Sequence, residues 1–324
     1  MMKWYPVELH THTEHSDGDF TVSGLVEAAH ARGFAAVALT DHNTASGLRE
    51  FYPALEREGL TGVAGIEWTT YFGHMLVLGE QGYTDWRGVR PPDIDRSIAA
   101  IHKNGGIIGI AHPFALSNPV NTGYHWEFQV ADWTAIDYLE VWSRDDAPRK
   151  IQSLRAFALW EQLLDRGCRI TATSGRDWHR EDTFAYGHTY VGIDGELTQD
   201  AILNAIRAGH VCLAAGPLLT MRGTDANGKP WEIGDELPAG EMEIELDIDQ
   251  STLPNDWDRS QVQPQEVRLV QNGRVLAVCP VQPHQRLHLS AAPGWLRADL
   301  IGTYYGMTGQ HLAFTNPLFI RQRG

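Results

Sequence analysis

The stretch ELHTHTEHSDGD, residues 8–19, follows a short apolar strand and carries three histidines among several carboxylates. Successive side chains of a β-strand point to opposite faces, so His10 and His12 point the same way and can bind one ion. Imidazole and carboxylate together suit borderline divalent metals such as zinc, manganese or iron. A His-x-His pair also occurs by chance, so the metal prediction depends on further ligands downstream.

Further candidate ligands follow, most of them where a predicted buried strand ends. They come after four apolar runs: FAAVALT before His42, LTGVAGI before Glu67, IIGIA before His112, and RITATS before Asp177 and His179. Ligand sites in parallel α/β proteins lie at the carboxyl ends of the strands, so we expect these side chains to converge. Asp17, in the loop after the first strand, and His74, which opens another apolar run, complete the predicted set. The predicted metal ligands are therefore His10, His12, Asp17, His42, Glu67, His74, His112, Asp177 and His179.

The composition limits the kinds of partner. The 26 Lys and Arg against 41 Asp and Glu give a formal charge of −15, which argues against a nucleic-acid polymer. The three cysteines are widely spaced and indicate neither a disulfide framework nor a zinc ribbon. The metal motif begins at residue 10, which leaves no room for a signal peptide, and no apolar stretch reaches membrane-spanning length. We expect a cytoplasmic protein that acts on a small, anionic molecule; its oligomeric state is not predicted.

The pattern of the chain changes at Gly216-Pro217. Up to that point strands alternate with helical segments, which is typical of a parallel sheet or barrel. Helices are predicted to begin at Thr21, near residue 44, and at Asp93, Asp146 and Thr198. Beyond it, residues 242–249 alternate apolar and acidic, as in a half-exposed antiparallel strand, and Asn272-Gly273 is a hairpin dipeptide. We predict one domain over residues 1–216 and a β-sandwich over 217–324, with a surface loop at 249–266.

Four segments carry a resemblance to a known family. HTHTEHSDGD, LTDHN, AHP and SGRDWH resemble, in order, the four motifs of the PHP (polymerase and histidinol phosphatase) family. The resemblance implies an α/β fold, a distorted (βα)7 barrel, which here precedes the β-sandwich. GIEWTT followed by GHMLVLG, together with LEVW and the late segment LAFTNPLFI, resembles the CehA/McbA branch related to carbaryl hydrolase, which has a C-terminal β-domain.

The resemblance also implies how the ligands are shared. His10, His12, Glu67 and Asp177 would hold one ion, and Glu67 would bridge to a second ion held by His74 and His112. A third site would consist of Asp17, His42 and His179. Many family members carry histidine where this chain has Asp17, so both two and three ions stay open.

Such a centre favours hydrolysis, with Glu67 and Asp177 as its catalytic carboxylates. Two ions bridged by a carboxylate generate a hydroxide at neutral pH and bind both the attacked and the departing oxygen, so no serine or cysteine nucleophile is needed. Three ions against three carboxylates leave a formal charge of about +3, which favours a phosphate ester. With two ions, a carboxylic ester, carbamate or amide is equally reasonable. A non-catalytic metal- or glycan-binding module is the third alternative.

Several neighbours are candidates for contacting the substrate. Arg176, beside Asp177, and Arg144 could each bind a phosphate or carboxylate. His188 or His15 could protonate a leaving group, and a structural role is the alternative for both. Trp126, Trp142 and Trp178 either wall an aromatic-tolerant pocket or pack inside the barrel.

Overall fold

The computed structural model describes residues 2–116, 123–250 and 258–322. Five α-helices occur in these ranges: α1 (Val22–Ala31), α2 (Leu48–Glu58), α3 (Ile94–Lys103), α4 (Ile151–Asp165) and α5 (Gln199–Ala208). The strands up to residue 216 are β1 (Lys3–Glu8), β2 (Ala36–Leu39), β3 (Thr61–Thr70), β4 (Gly73–Leu78), β5 (Ile107–Ile110), β6 (Tyr138–Ser143), β7 (Thr171–Gly175), β8 (His188–Ile193) and β9 (Val211–Ala214). None of these helices is long and apolar enough to cross a membrane.

The first nine strands curve into a distorted barrel. β1, β2 and β3 are parallel neighbours, as are β5, β6 and β7, while β4 lies antiparallel between β3 and β5. β8 runs antiparallel to β1. The ring closes between β7 and β8 through the side chain of Thr189. Its Oγ1 accepts from the Ser174 amide at 2.8 Å and donates to the Ser174 carbonyl at 2.8 Å. The carboxyl ends of the six parallel strands therefore meet at one edge.

Most helix starts and ends follow the sequence signals. The Thr21 hydroxyl accepts from the Gly24 amide, and the Thr198 hydroxyl accepts from the Ala201 amide, so both threonines cap their helices as predicted. α2 begins at Leu48 rather than near residue 44, because the Thr44 hydroxyl accepts from the Ser46 amide and holds a turn there. Such local side-chain bonds compete with the helix.

The predicted cap of the fourth helix is wrong. α4 begins at Ile151, and Asp146 lies five residues earlier with a positive φ of 54°. Asp146 instead forms a tight turn, since its carbonyl accepts from the Arg149 amide at 3.0 Å and its carboxylate pairs with the Arg149 side chain. Pro148 lies inside this turn and not in the first turn of the helix.

The rest of the chain is a β-sandwich. Its strands are β10 (Leu218–Asp225), β11 (Pro230–Glu232), β12 (Glu236–Pro238), β13 (Gly240–Asp249), β14 (Val262–Gln271), β15 (Arg274–Pro280), β16 (His284–Ala291), β17 (Gly294–Tyr304), β18 (Met307–Thr315) and β19 (Leu318–Arg321). β11-β10-β13-β16 form one sheet, and β14, β15, β17, β18, β19 and β12 belong to the other. The predicted alternation of β13 is present, with its apolar residues buried. The loop predicted at 249–266 ends early, since β14 begins at Val262; residues 251–257 lie outside the described residues.

The sandwich is joined closely to the barrel. β18 pairs with β9, so one sheet runs through both parts. The Asn316 side chain accepts from the Ala172 amide at 2.7 Å and donates to its carbonyl at 3.0 Å. Arg297 of β17, 2% exposed, bonds Asp299 at 2.7 Å and Glu161 of α4 at 2.8 Å. The change from one architecture to the other falls between β9 and β10, while independent domains over 1–216 and 217–324 stay a prediction.

Candidate metal centre

All nine predicted ligands lie together at the carboxyl edge of the barrel. Their imidazole and carboxylate atoms form three overlapping groups, within each of which the atoms lie within 4.8 Å of one another: His12, Asp17, His42 and His179; His10, Glu67, His112 and Asp177; and His42, Glu67 and His74. Two residues belong to more than one group, because Glu67 and His42 are shared. The side chains that follow the strand ends therefore converge as expected, and their roles as metal ligands stay a prediction. The shortest contacts divide them into a first group around Glu67 Oε2, a second around Glu67 Oε1 and a third around Asp17 Oδ1.

The first group surrounds a single buried point. His10 Nε2 lies 3.2 Å from Glu67 Oε2 and 3.4 Å from Asp177 Oδ1, and His12 Nε2 lies 3.3 and 3.2 Å from the same two oxygens. His10 Nε2, His12 Nε2 and Glu67 Oε2 are buried and have no hydrogen-bond partner among the described residues. Buried polar atoms are normally paired, so this arrangement fits a divalent cation bound by two imidazoles and two carboxylates.

The second group uses the other oxygen of the same glutamate. Glu67 Oε1 lies 2.9 Å from His74 Nδ1 and 3.0 Å from His112 Nε2. Glu67 is fully buried, and β3 and β4 hold it next to His74 through their antiparallel register. Since its two oxygens face two different sets of nitrogens, Glu67 has the geometry of a carboxylate that bridges two ions.

The third group lies nearest to solvent. Asp17 Oδ1 is 3.3 Å from His42 Nε2 and 3.2 Å from His179 Nε2. Asp17 is 56% exposed, whereas the His42 and His179 side chains are 19% and 24% exposed. The His42 Nδ1 atom is also 2.9 Å from Glu67 Oε2, which connects this group to the other two. Asp17 thus supplies the carboxylate that a third ion would need.

Glu140 supports the centre, and the sequence analysis did not identify it. Its Oε1 bonds His10 Nδ1 at 2.8 Å, and its Oε2 accepts from the His112 amide at 2.9 Å. A carboxylate on the far nitrogen of a ligating imidazole fixes the ring orientation and leaves Nε2 for the metal. The available signal was a carboxylate inside the apolar strand YLEVW, where a buried charge needs a partner.

Arg144 supports Asp177. Its Nε and Nη2 donate to Asp177 Oδ2 at 2.8 and 2.6 Å. Both residues have a positive φ, 64° for Arg144 and 52° for Asp177. Non-glycine residues rarely adopt this conformation, and strain of this kind concentrates at functional sites. The Arg144 side chain is 41% exposed, so the guanidinium also faces the solvent side of the centre.

Unlike Arg144, the candidates Arg176 and His188 lie away from the cleft. The Arg176 side chain is 0% exposed, 3.7 Å from the Tyr186 ring and 4.5 Å from the Trp178 ring. The position of Arg176 therefore does not support the prediction that it binds a substrate anion. His188 is buried, and the centroid of its ring lies 5.5 Å from that of Phe34. Phe34 belongs to the hydrophobic cluster under α1 and α2. This surrounding does not support a role in protonating a leaving group.

The remaining candidates are also packed. Trp142 and Trp178 are buried in the core, and Trp126 packs against it. His15 Nδ1 bonds the Ser46 hydroxyl at 2.8 Å, so this histidine holds the loop before α2. The two outcomes agree with the packing and structural alternatives that the sequence left open.

Burial and charge shift the pKa values of the cluster strongly. Burial lowers the pKa of His12 to about 4. Burial also opposes charge on His42, yet Asp17 and Glu67 raise its pKa to about 10. The carboxyls of Glu67 and Asp177 keep their pKa values well below the usual range, since the favourable charge of His10 outweighs their desolvation. Three closely spaced carboxylates thus require positive charge, which divalent ions would supply.

A cleft of about 720 Å³ opens over the centre. Asp17, His42 and His74 form its floor, and aromatic side chains form much of its wall. Its other lining residues include Tyr71, Phe72, Trp86, Tyr124, Arg87 and Arg90. The cleft is large enough for a small organic molecule.

Comparison with known proteins gives matches within the first part of the chain. Residues 8–107 match the family model described as the PHP domain. A 3',5'-nucleoside bisphosphate phosphatase from Chromobacterium violaceum is 36% identical over 77 residues, which are 22% of this chain and 27% of that protein. The PolC-type DNA polymerase III of Thermotoga petrophila is 44% identical over 63 residues, 19% of this chain and 5% of the polymerase. The matches thus span about a quarter or less of each relative.

One solved structure matches over the whole length. It comes from Bacteroides vulgatus and is described as a two-domain protein containing a predicted PHP-like metal-dependent phosphoesterase. It aligns with a TM-score of 0.56 at 14% identity and covers 98% of this chain and 96% of that chain. The fold prediction, an α/β PHP domain followed by a β-rich part, is confirmed. The narrower resemblance to the CehA/McbA branch stays a prediction.

Proposed function

We propose that this chain is a metal-dependent phosphoesterase acting on a small-molecule phosphate ester. The proposal starts from the match to the PHP domain, which begins at Glu8. The observation that carries the proposal is that the two carboxylate oxygens of Glu67, Oε1 and Oε2, face separate groups of histidines. Two or three divalent ions would be held there, and when bound they lower the pKa of a water molecule and stabilise the charge of the transition state. The PHP match and the names of the relatives support a metal-dependent hydrolase.

The protein's own residues contribute the following. Glu67 and Asp177 would hold the first ion, and Glu67 would also help to hold the second. Arg144 is fixed to Asp177 and partly exposed, so its guanidinium is the group at the centre that would orient a phosphate oxygen. Asp17, with His42 and His179, would hold a third ion and raise the positive charge that the substrate meets.

The alternative is a hydrolase of carboxylic esters, carbamates or amides at the same centre. Two ions instead of three would reduce the charge and favour such neutral substrates. The observed closeness of Asp17 to His42 and His179 favours the third ion, and therefore the phosphate ester. We further propose that the enzyme is cytoplasmic. We also propose that it does not act on nucleic-acid polymers, because the chain carries a charge of −15.

A metal analysis combined with a substrate panel tests the proposal. The protein is loaded separately with Mn²⁺, Zn²⁺ and Fe²⁺, its bound metal is counted, and it is assayed with aryl phosphate monoesters, phosphate diesters and aryl carboxylic esters. We expect metal-dependent phosphate-ester hydrolysis that Glu67→Gln abolishes and Glu14→Gln, an exposed change in the same motif, retains. Ester hydrolysis with two ions would favour the alternative, and bound metal without any turnover would overturn both.

A further inference from the structure

A second, smaller cavity lies beside the metal centre. It has a volume of about 100 Å³, and its lining includes His112, Glu140 and Arg144 on one side and Ser143, Lys150 and Ser153 on the other. One water molecule takes up about 30 Å³, so the cavity has room for about three waters or one small oxyanion. None of the predicted metal ligands except His112 lines it, so it is distinct from the ion positions.

The first turn of α4 forms one wall of this cavity. The helix has 15 residues, the side chain of its N-cap residue Lys150 makes no capping hydrogen bond, and its first turn carries no acidic residue. The first amides of a helix have no partner inside the helix, and its dipole places partial positive charge at this end. Thr21 and Thr198 cap α1 and α5, whereas no side chain in the described ranges caps α4 in this way. Helix ends of this kind bind phosphate and carboxylate groups.

Two buried hydroxyls indicate independently that a ligand belongs there. Ser153 is 3% exposed, and its Oγ has no hydrogen-bond partner among the described residues. The Oγ of Ser143 is likewise buried and without a partner in that part of the chain. Both serines line the same cavity. Buried hydroxyls are normally paired, and these two can both donate to an acceptor that fills the space.

The charges around the cavity are compatible with an anion. Lys150 contributes an ammonium group, held 2.5 Å from Asp145 Oδ1, and Arg144 contributes the guanidinium that is bonded to Asp177. Glu140 is the opposing charge. Both of its oxygens are already used, by His10 Nδ1 and by the His112 amide, so its charge is partly compensated.

We propose that this cavity binds a small oxyanion, of the phosphate or carboxylate type, between the first turn of α4 and the hydroxyls of Ser143 and Ser153. The anion is either a free ion or a second acidic group on the substrate. Because Arg144 lines the cavity and also bonds Asp177, an anion here lies next to the catalytic centre. The binding site itself does not depend on the proposed phosphoesterase activity.

Titration with inorganic phosphate tests the site without any turnover. Metal-depleted wild-type protein, Ser153→Ala and the control Ser97→Ala, a buried serine in α3, are titrated by calorimetry. We expect Ser153→Ala to weaken phosphate binding at least fivefold and Ser97→Ala to match the wild type. A circular dichroism spectrum confirms folding. Absence of phosphate binding to wild type, or equal binding by Ser153→Ala, would overturn the proposal.

Kinetics then distinguish the two sources of the anion. The Mn²⁺-loaded proteins are assayed with phenyl phosphate and 4-carboxyphenyl phosphate. A KM that Ser153→Ala raises only for the carboxylate-bearing substrate shows that the substrate carries the anion. Unchanged KM values, together with the weakened phosphate titration, show that the site takes a free ion. If neither compound is hydrolysed, the proposed function fails, while the titration still decides the anion site.

Discussion

Arg144 donates two hydrogen bonds to the Oδ2 atom of Asp177, at 2.8 and 2.6 Å, and this leaves Oδ1 directed at His10 and His12. The Arg144 guanidinium therefore fixes the Asp177 carboxylate through the oxygen that does not face His10 and His12. The same group is partly exposed beside the cleft, where it can also meet a substrate. The two roles have different experimental consequences.

Arg144→Lys should reduce kcat/KM for a phosphate monoester by about 10- to 100-fold. Lysine keeps the charge but loses the paired N–H groups that hold Oδ2. We expect bound metal to fall only slightly, because His10, His12 and Glu67 remain. The control is Arg57→Lys, in the last turn of α2 with a 51% exposed side chain and away from the cleft. Kinetics of the variant that match the wild type would show that Arg144 neither holds Asp177 nor contacts the substrate.

Glu140→Gln should weaken metal affinity by about 10- to 100-fold, since the far nitrogen of His10 loses its carboxylate partner. Gln keeps the size of the side chain and a hydrogen bond, so the fold is retained. Titration of the metal-free protein with Mn²⁺ measures the change. Glu14→Gln is the matched control, because Glu14 is exposed in the same segment of the chain. Unchanged affinity in Glu140→Gln would contradict the support that we assign to this residue.

Metal binding at the third group should release a proton and become tighter as the pH rises. In the metal-free protein the pKa of His42 is raised to about 10, so the imidazole is protonated at neutral pH. An ion must displace that proton, and the cost of doing so decreases as the pH approaches 10. Calorimetric titrations in buffers of different ionisation enthalpy measure the released protons. His42→Asn should release fewer protons per bound ion; equal release would refute the prediction.

Arg297→Ala should lower the free energy of unfolding by about 3–5 kcal/mol, because it leaves the buried carboxylate of Asp299 without its partner. Urea unfolding followed by circular dichroism measures the loss. Arg286→Ala, on an exposed part of β16, is the control and should change it by about 0.5 kcal/mol or less. A loss as small as that of the control would show that the buried pair does not stabilise the joint between sandwich and α4.

The same pair predicts a dependence of stability on pH. Burial opposes the charge of Asp299, yet Arg297 and His311 hold the pKa of this carboxyl below its usual value. A carboxyl whose pKa is lower in the folded state stabilises the protein above the unfolded pKa, about 3.9, and this contribution is lost as the pH falls below that value. Asp299→Asn should therefore flatten the acid side of a plot of unfolding free energy against pH. An unchanged acid limb would contradict this assignment.

The convergence of the candidate metal ligands could be predicted because their position depends on topology. Parallel strands end at one edge, so histidines and carboxylates after several strands must meet there, whatever their distance in sequence. The direction of an individual side chain is harder to infer. Arg176 is adjacent to Asp177 in the chain, yet its guanidinium packs between Trp178 and Tyr186, away from the cleft. Arg144 and Glu140 come from another strand, and only the barrel brings them to the centre.

Local competition limited the secondary-structure predictions. Asp146 has the residue type of a helix cap, but its bonds to Arg149 form a turn before α4 begins. The Thr44 hydroxyl delays α2 in a comparable way. The Thr44 hydroxyl bonds a nearby backbone amide, and Asp146 bonds Arg149 through its carbonyl and its carboxylate. The periodicity of apolar residues does not indicate such local bonds.

The pairing of β9 with β18 affects how this protein is made. Residues 212–214 of the barrel take their hydrogen-bond partners from residues 313–315, about a hundred positions later in translation. Asn316, next to that pairing, supplies partners to Ala172 and Val211. The β9 edge of the nascent barrel therefore stays open until residues 313–316 have emerged from the ribosome. A fragment that stops at residue 216 would expose this edge, so the metal centre is expected to mature late, after the sandwich has formed.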